Sequence, residues 1–468
     1  MDKTLIIDSL FNYERAGLLE NNELKEVIIE EKGSFQVGDI FIGRVKKILP
    51  NKFAFIDLGY DKNAFLGITD KKQKGLYTFN ENTNKYVLNL KEGQDILVQI
   101  DKQGTDIKGA SVTTNLTLTG KYIVLLLNEK SIAISKKIEN REKREFLKKV
   151  ANESLPQGYG IIFRTNCVNV NDEHIKNEII NLIKKAKDLL EKANYIKPPT
   201  RVFFAKTEVE KIIIDTLDKD DKVITNSKDS YNSLKLIFEN IEVYNDKLPI
   251  FEVYGIESRI EKIFNNKIWL KSGGFLIIDC VEAMTIIDVN TGKNITKTFD
   301  DMIFKTNKEA LEQISKEIRL RNISGIILID LIDMKNEEHK KQLEIYMKQL
   351  SKDDRMPINI YPINELGIMQ LTRKKSLRPL YDIVSKSCPM CNGIGKVKNE
   401  MYIANIIKNQ ILSIFANTIY KRLVVSANNN VIQCLKSINI SNIEDKKIEF
   451  NIIYPIRFDY FNIEKFID

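Results

Sequence analysis

Three textures of apolar and polar positions follow one another along the chain. Between 36 and 115 the apolar residues fall in short runs broken by glycine. These are Val37-Gly38-Asp39-Ile40-Phe41-Ile42-Gly43-Arg44-Val45, Phe53-Ala54-Phe55-Ile56-Asp57-Leu58-Gly59 and Ile96-Leu97-Val98-Gln99-Ile100-Asp101. That texture predicts a compact five-strand barrel of the OB type. Between 116 and 202 two helical stretches flank a strand. Ile175, Ile179, Leu182, Ile183, Ala186, Leu189 and Leu190 make one stripe at helical spacing, which reads as core. From 266 onward, β-branched runs end in carboxylates at Asp279, Asp288 and Asp330, with a polar helical interval between the second and third. At the N-terminus, 4–30 predicts a strand, a helical or irregular piece and a second strand, with Asn21-Asn22 as a turn. Beyond the carboxylates, Leu343, Tyr346, Met347 and Leu350 predict an amphipathic helix, and 357–362 a strand bounded by prolines. A helix over 401–419 and strands near 422–426 and 447–454 complete the pattern. At 468 residues the chain should build several mixed α/β domains around more than one core.

Composition narrows the class. Hydrophobic content of 43% and charged content of 29% belong to a folded protein without a membrane span, and the run 122–127 is far too short to cross a bilayer. Lys+Arg of 72 against Asp+Glu of 64 leaves +8, a mild bias toward a polyanionic partner. No signal peptide is evident. Five cysteines, with two close together, do not make a disulfide framework, so a reducing cytoplasmic setting is expected. His174 and His339 are the chain's two histidines. Phosphodiester chemistry here would need a metal to activate water.

The strand-end carboxylates are the first candidates for that chemistry, because active sites in α/β sheets lie off strand ends. Two of them converging make a hard oxygen site suited to Mg²⁺. A single Asp in such a place is commonly a turn former or helix cap, and Asp215 and Asp279 share the Ile-Ile-Asp signature. Asn290, two residues past Asp288, lies on the same face of an extended chain, where its amide can orient that carboxylate or donate to a phosphate. Arg164-Thr165 closes the apolar strand Gly160-Ile161-Ile162-Phe163 and offers phosphate donors; a solvated surface pair is the alternative. Phe55 and Phe65 on the barrel are either core residues or stacking surfaces for bases. The run 371–378 is basic and would line an RNA path or a solvated helical face. Cys388-Pro389-Met390-Cys391 is half of a zinc site. Structural zinc takes four ligands, while Cys167, Cys280 and Cys434 are isolated, so a second copy of the chain most simply supplies the rest.

Several longer motifs carry a resemblance. Tyr254-Gly255-Ile256-Glu257, Trp269-Leu270-Lys271-Ser272-Gly273-Gly274, Ile287-Asp288-Val289-Asn290-Thr291-Gly292-Lys293, Arg319-Leu320-Arg321-Asn322-Ile323 and Ile329-Asp330-Leu331-Ile332-Asp333-Met334 closely resemble the ribonuclease E/G family of bacterial endoribonucleases. The likeness spans nearly the whole chain and is strongest over 248–396; without a long C-terminal extension, the chain is similar to the shorter members. The resemblance implies an OB-type S1 barrel (36–115) inserted in a ribonuclease-H-like subdomain (1–35 and 203–265). A 5′-phosphate sensor region (116–202), a DNase I-like mixed α/β catalytic domain (266–386), a zinc link (387–397) and a small C-terminal domain (398–468) would follow.

It also implies roles. Asp288 and Asp330 would hold a catalytic Mg²⁺, Asn290 would position the phosphate, and Asp333 is a possible second carboxylate behind them. Phe55, Phe65 and Lys108 match RNA-contacting positions, and Val124, Arg164 and Thr165 a 5′-monophosphate sensor. Cys388 and Cys391 would share one Zn²⁺ between subunits of a homodimer or dimer of dimers. Ser135-Lys136-Lys137 carries lysines where the resemblance leads one to expect arginines. The implied activity is cleavage of single-stranded, AU-rich RNA in rRNA processing and mRNA decay, leaving 5′-phosphate and 3′-hydroxyl ends. A non-catalytic RNA-binding scaffold and a small-molecule Mg²⁺ phosphodiesterase are the competing readings.

Overall fold

Periodicity fails first at the N-terminus. The computed structural model describes residues 2–50, 53–68, 77–80, 85–104, 109–127, 129–168, 170–281, 283–291, 299–375, 378–391, 393–438, 446–454 and 457–467. Lys3–Ser9, Tyr13–Glu20 and Glu23–Glu31 are three consecutive antiparallel strands, with no helical piece between them. The expected helical or irregular piece is instead a strand because this sheet is buried on both faces, and such strands lose the alternation that marks them in sequence. Leu5, Ile7, Ala16, Leu18 and Ile28 face one core, and Ile6, Leu19, Leu24, Val27 and Ile29 face another. The Asn21-Asn22 turn holds both residues at positive φ (49° and 66°), the geometry that tight hairpins favour and asparagine tolerates. Lys222–Thr225 joins this sheet in parallel beside Lys3–Ser9, and Ile241–Val243 pairs outside it.

The strands Ile40–Leu49, Phe53–Asp57, Ala64–Gly67, Asp95–Lys102 and Ser111–Thr113 form a five-strand barrel, closed by pairing of the first with Asp95–Lys102. It fits the OB type. Gly43 is required where the wall bends tightly: a Cβ there would stand 2.5 Å from Ile56 Cγ2. Thr200–Phe203 adds to the outside of Ile40–Leu49, so a segment far along the chain braces the barrel. The next core lies between the sheet Thr117–Thr119, Ile123–Leu126, Gly160–Phe163, Ile132–Ile134 and the helices Arg141–Ser154 and Asp172–Ala193. The stripe on the second helix packs into it: Ile175, Ile179, Leu182, Ala186 and Leu189 are buried.

A six-stranded mixed sheet follows. Its order is Lys267–Trp269, Phe275–Cys280, Met284–Asn290, Gly325–Asp330, Ile368–Arg373, Ile358–Ile360. One face, with Leu276, Ile278, Ile287, Val289, Ile327, Ile329, Met369 and Leu371, packs on helices Phe299–Leu320 and Glu337–Leu350 through Leu311, Ile314, Leu343 and Met347. Each such side chain contributes about 1.5–3 kcal/mol by leaving water. The other face is open. Arg355 ties this part to the N-terminal sheet by pairing with Glu26 (2.7 Å) and Glu208 (3.3 Å), both nearly buried.

The basic run is not a helical face. Leu371 to Arg373 ends a strand, Arg373 is buried in the fold, and Ser376 and Leu377 lie outside the described residues. The chain divides into two compact units, Met1–Ile383 and Val384–Asp468. In the second, helix Glu400–Asn417 packs on strands Arg422–Ala427, Lys447–Ile452 and Phe461–Phe466 together with helix Asn429–Ser437. Sequence periodicity foresees neither the second helix nor the third strand. Among the described residues no helix is long and apolar enough to cross a membrane.

Candidate active site

Met284–Asn290 and Gly325–Asp330 run parallel, and their register pairs Asp288 directly with Asp330. Directly paired residues share a face, so both carboxylates project from the open side of the sheet on backbones about 5 Å apart. Asp288 is half-buried and Asp330 exposed. Asn290 Nδ2 donates to Asp288 Oδ2 at 2.8 Å, which holds one oxygen of that carboxylate. This hard, oxygen-only pair suits an octahedral cation that keeps most of its waters, since Mg²⁺ asks the protein for one or two carboxylates. Among the described residues no group of three or more His, Cys, Asp or Glu side chains gathers into a fuller cage.

Asp333 lies beyond the strand end, against the turn before Ile368–Arg373. A Cβ on Gly367 (φ +79°) would sit 3.3 Å from Asp333 Oδ1. The loop carrying Asp333 is held by a residue that motif reading missed. Asn307, fully buried on helix Phe299–Leu320, donates to the carbonyl of Ile332 (2.9 Å) and accepts from its N–H (3.0 Å). The signal was present as a polar residue just before the apolar stripe Ala310, Leu311, Ile314. Asp279 is on the same open face but toward the opposite end of its antiparallel strand, opposite Ile286. Asp215 is not on a strand; it sits in helix Glu208–Thr216 and pairs with Arg164. The Ile-Ile-Asp signature thus covers three different situations.

Arg164 follows the strand Gly160–Phe163, and its backbone N–H donates to Tyr122 O at 2.8 Å. Its guanidinium donates to Asp215 Oδ2 (2.9 Å) and to the carbonyls of Gly120 (2.9 Å) and Lys121 (3.4 Å); among the described residues Nε and one Nη2 hydrogen have no partner. Thr165 Oγ1 meets Ser135 Oγ at 3.0 Å. Val124 pairs with Ile162 on the adjacent strand. Strands Ile123–Leu126 and Gly160–Phe163 therefore bring Arg164, Thr165 and the 120–124 backbone together. Cys167 beside them is no ligand: burial pushes its thiol up to about 11, and Sγ donates to Tyr122 O.

On the barrel, Phe55 and Phe65 are directly paired across neighbouring strands and half-exposed, while Ala54, Ile56, Ala64 and Leu66 fill the core. Phe53 joins them, 4.8 Å from Phe65 ring to ring, with Phe55 at 6.4 Å. None of these three rings is among the side chains that fill the barrel core. Lys108 lies outside the described residues.

In the second unit the backbone N–H groups of Cys391 and Met390 turn on the Cys388 thiol and pull it below the ordinary thiol range. Gly395 N–H donates to Cys391 Sγ at 3.3 Å. Both cysteines remain accessible. Donors aimed at sulfur favour a thiolate, and a structural zinc site takes four ligands, of which such a pair would be two. A cleft of about 520 Å³ opens elsewhere, lined by Glu30, Phe35, Tyr60, Asp61 and Arg378. None of the candidate carboxylate, sensor, stacking or cysteine residues lines it.

Comparison with known proteins places these observations. The model of the Ribonuclease E/G family matches residues 117–376, the span that holds both the Arg164 pocket and the carboxylate pair. Ribonuclease G of Salmonella typhimurium is 31% identical over 455 residues, 93% of each chain. Ribonuclease G of Haemophilus influenzae is 32% identical over 429 residues, 88% of this chain and 87% of its own. Ribonuclease E of Buchnera aphidicola is 31% identical over 84% of this chain but only 42% of its own length. The paired carboxylates, the strand-end arginine and this likeness along nearly the whole length agree: the chain belongs to the ribonuclease E/G family.

Proposed function

We propose that this protein is an endoribonuclease that hydrolyses single-stranded RNA at the open end of its six-stranded sheet. The observation that carries the reading is the register of Asp288 with Asp330, flanked by Asn290. These two carboxylates hold a divalent cation, Mg²⁺ by the hardness of the donors. When bound, such an ion polarises the phosphoryl oxygen and lowers the pKa of water. The protein's own residues do the rest. Asn290 keeps Asp288 oriented, Asn307 holds the loop that presents Asp333, and the Phe53, Phe55 and Phe65 face stacks unpaired bases. Products carry 5′-phosphate and 3′-hydroxyl ends.

The two Arg164 donors that have no partner among the described residues, with the Thr165 hydroxyl, favour RNA with a 5′-monophosphate; the N–H groups of Lys121, Tyr122 and Ile123 are already given to Glu178. Stacking accepts any base; a preference for AU-rich strands is what the family resemblance implies. Cys388 and Cys391 supply half of a zinc ion's ligands, and a second copy supplies the other half, which entails about half a zinc per chain. The test is end-labelled single-stranded RNA incubated with the full chain, with and without Mg²⁺. Discrete internal cuts that need the metal support the reading; RNA that is bound and left whole would make the protein a scaffold.

A further inference from the structure

The open face of the six-stranded sheet holds more than the carboxylates. Register places Trp269 opposite Phe275 and Phe275 opposite Asn290, one continuous row across three strands. The neighbouring row runs Lys267, Ile277, Asp288, Asp330. Trp269 and Lys267 therefore share the face of the reacting groups, two strand spacings or about 10 Å from Asp288 and Asn290.

Trp269 is the chain's one tryptophan and is 66% exposed. Its ring meets Phe275 edge-on at 5.4 Å, and Lys267 Nζ sits 4.3 Å from the Trp269 ring and 3.8 Å from the Phe275 ring. The cluster cannot turn inward, because Ile268 and Leu270, on the other side of the strand, already pack in the core. The loop behind it is tied down. Leu270 N–H donates to Gly274 O (2.8 Å), Gly273 N–H to Leu270 O (3.0 Å), and Ser272 N–H to Glu309 on the long helix (3.2 and 3.3 Å). A large ring held rigidly in water costs hydration free energy that a folded chain ordinarily recovers by burial. Here the ring is left available beside a cation and a carboxylate pair.

We propose that Trp269, supported by Phe275 and neighboured by Lys267, is a stacking platform for a base of the RNA strand flanking the cleaved phosphate. The inference rests on the endoribonuclease reading and adds a binding position to it. An RNA strand is favoured as occupant by three properties of the surface. Its aromatic face accepts any base, its lysine matches the backbone charge, and its rows lead without a break to Asp288 and Asp330. Ile286 and Ile326, 41% and 46% exposed on the same face, give an apolar floor on the far side of the carboxylate row.

The single tryptophan makes the test specific to the site. Full-length protein dialysed free of Mg²⁺, which withholds the ion that cutting needs and leaves zinc in place, is titrated with a short single-stranded RNA while tryptophan emission and the anisotropy of a label on the RNA are read together. Stacking predicts saturable quenching with the same midpoint as the anisotropy, and Phe in place of Trp269 should keep most of the affinity. Trp269→Ala should weaken binding about tenfold, about 1.4 kcal/mol, and in Mg²⁺ the loss should fall on KM far more than on kcat. RNA that binds and is cut without changing emission, with Trp269→Ala as tight as wild type, overturns the platform and leaves the activity intact. RNA neither bound nor cut overturns both. Emission that follows protein concentration and ignores RNA assigns the face to a second copy of the chain and overturns the proposal.

Discussion

Two arginines close apolar strands in this chain and meet opposite fates. Arg373 ends Ile368–Arg373 and is 4% exposed. It spends four hydrogen bonds inside the fold: a fork onto Asp354 (2.8 and 3.1 Å), one to Asn322 Oδ1 (2.8 Å) and one to Ile323 O (3.1 Å). Arg164 follows Gly160–Phe163, is half-exposed, and keeps two donors unspent. A planar guanidinium offers five donors in a fixed fork, so what the fold leaves over decides what a ligand can have. Phosphate recognition is a question of remaining capacity, and Arg373 has almost none.

The largest effect that sharpens this contrast is on stability. Arg373→Ala strands Asp354 in the interior without its partner, which should cost about 3–5 kcal/mol. Urea unfolding measures it, and the 5′-end preference of the folded fraction should stay as in wild type. A loss under about 1 kcal/mol would mean that Arg373 is not the structural member of the pair. The carboxylates extend the comparison. Asp288 accepts one bond from Asn290 and, like Arg164, keeps capacity to spare, so its loss or that of exposed Asp330 should fall on chemistry. Asp288→Asn or Asp330→Asn should lower the cleavage rate by roughly 10²-fold or more, as removal of a charge-stabilising group does. The fold should survive, because neutralising one of two adjacent like charges relieves repulsion. Near wild-type cutting at saturating RNA by either variant would remove the pair from the reaction.

The sequence shows why such contrasts are only partly legible. The barrel's short glycine-broken strands and the helical stripe over 175–190 announce themselves, because each has one dry face and one wet one. The N-terminal sheet, wet on neither face, does not. Its union with 222–243 depends on contacts some 200 residues apart, which no local pattern carries. At the site, Asn290 is legible from its two-residue spacing to Asp288. Asp215 misleads, since Ile-Ile-Asp on a helix and on a strand are spelled alike and only the Arg164 contact separates them. Asn307 is hidden because its partner is backbone rather than side chain.

A smaller effect tests Arg164 itself. With two donors left, it can give a 5′-phosphate about one good charge-assisted bond, worth about 1.5–3 kcal/mol. The ratio of cleavage rates for 5′-monophosphorylated over 5′-hydroxyl RNA should therefore fall at least about tenfold in Arg164→Ala, through slower cutting of the monophosphorylated strand. If both RNAs slow alike, Arg164 is a general phosphate grip. If neither slows, its bonds to Asp215 and Gly120 are its whole role.

The smallest effect turns the comparison to two acids on one strand. Glu26 and Glu30 lie on Glu23–Glu31, and only Glu26 has an arginine, Arg355, at 2.7 Å. Burial pushes the Glu30 carboxyl up to about 7 from 4.5, with repulsion from Glu208 and Glu14 adding to it; the backbone N–H of Glu208 and the charge of Lys211 pull the other way without prevailing. The folded protein thus keeps a proton that the unfolded chain releases near 4.5. Stability from that proton is fully present below about 4.5 and is lost as pH rises through about 7. Glu30→Gln, which is neutral throughout and still accepts from Glu208 N–H, should match wild type near pH 4.5. At pH 8 it should be more stable by about 1 kcal/mol or more, since a raised carboxyl that must ionise in the fold costs stability there. Paired urea midpoints at the two pH values decide the matter. A difference between variant and wild type that is the same at both would show that Glu30 is satisfied in its charged form, as Glu26 is beside Arg355.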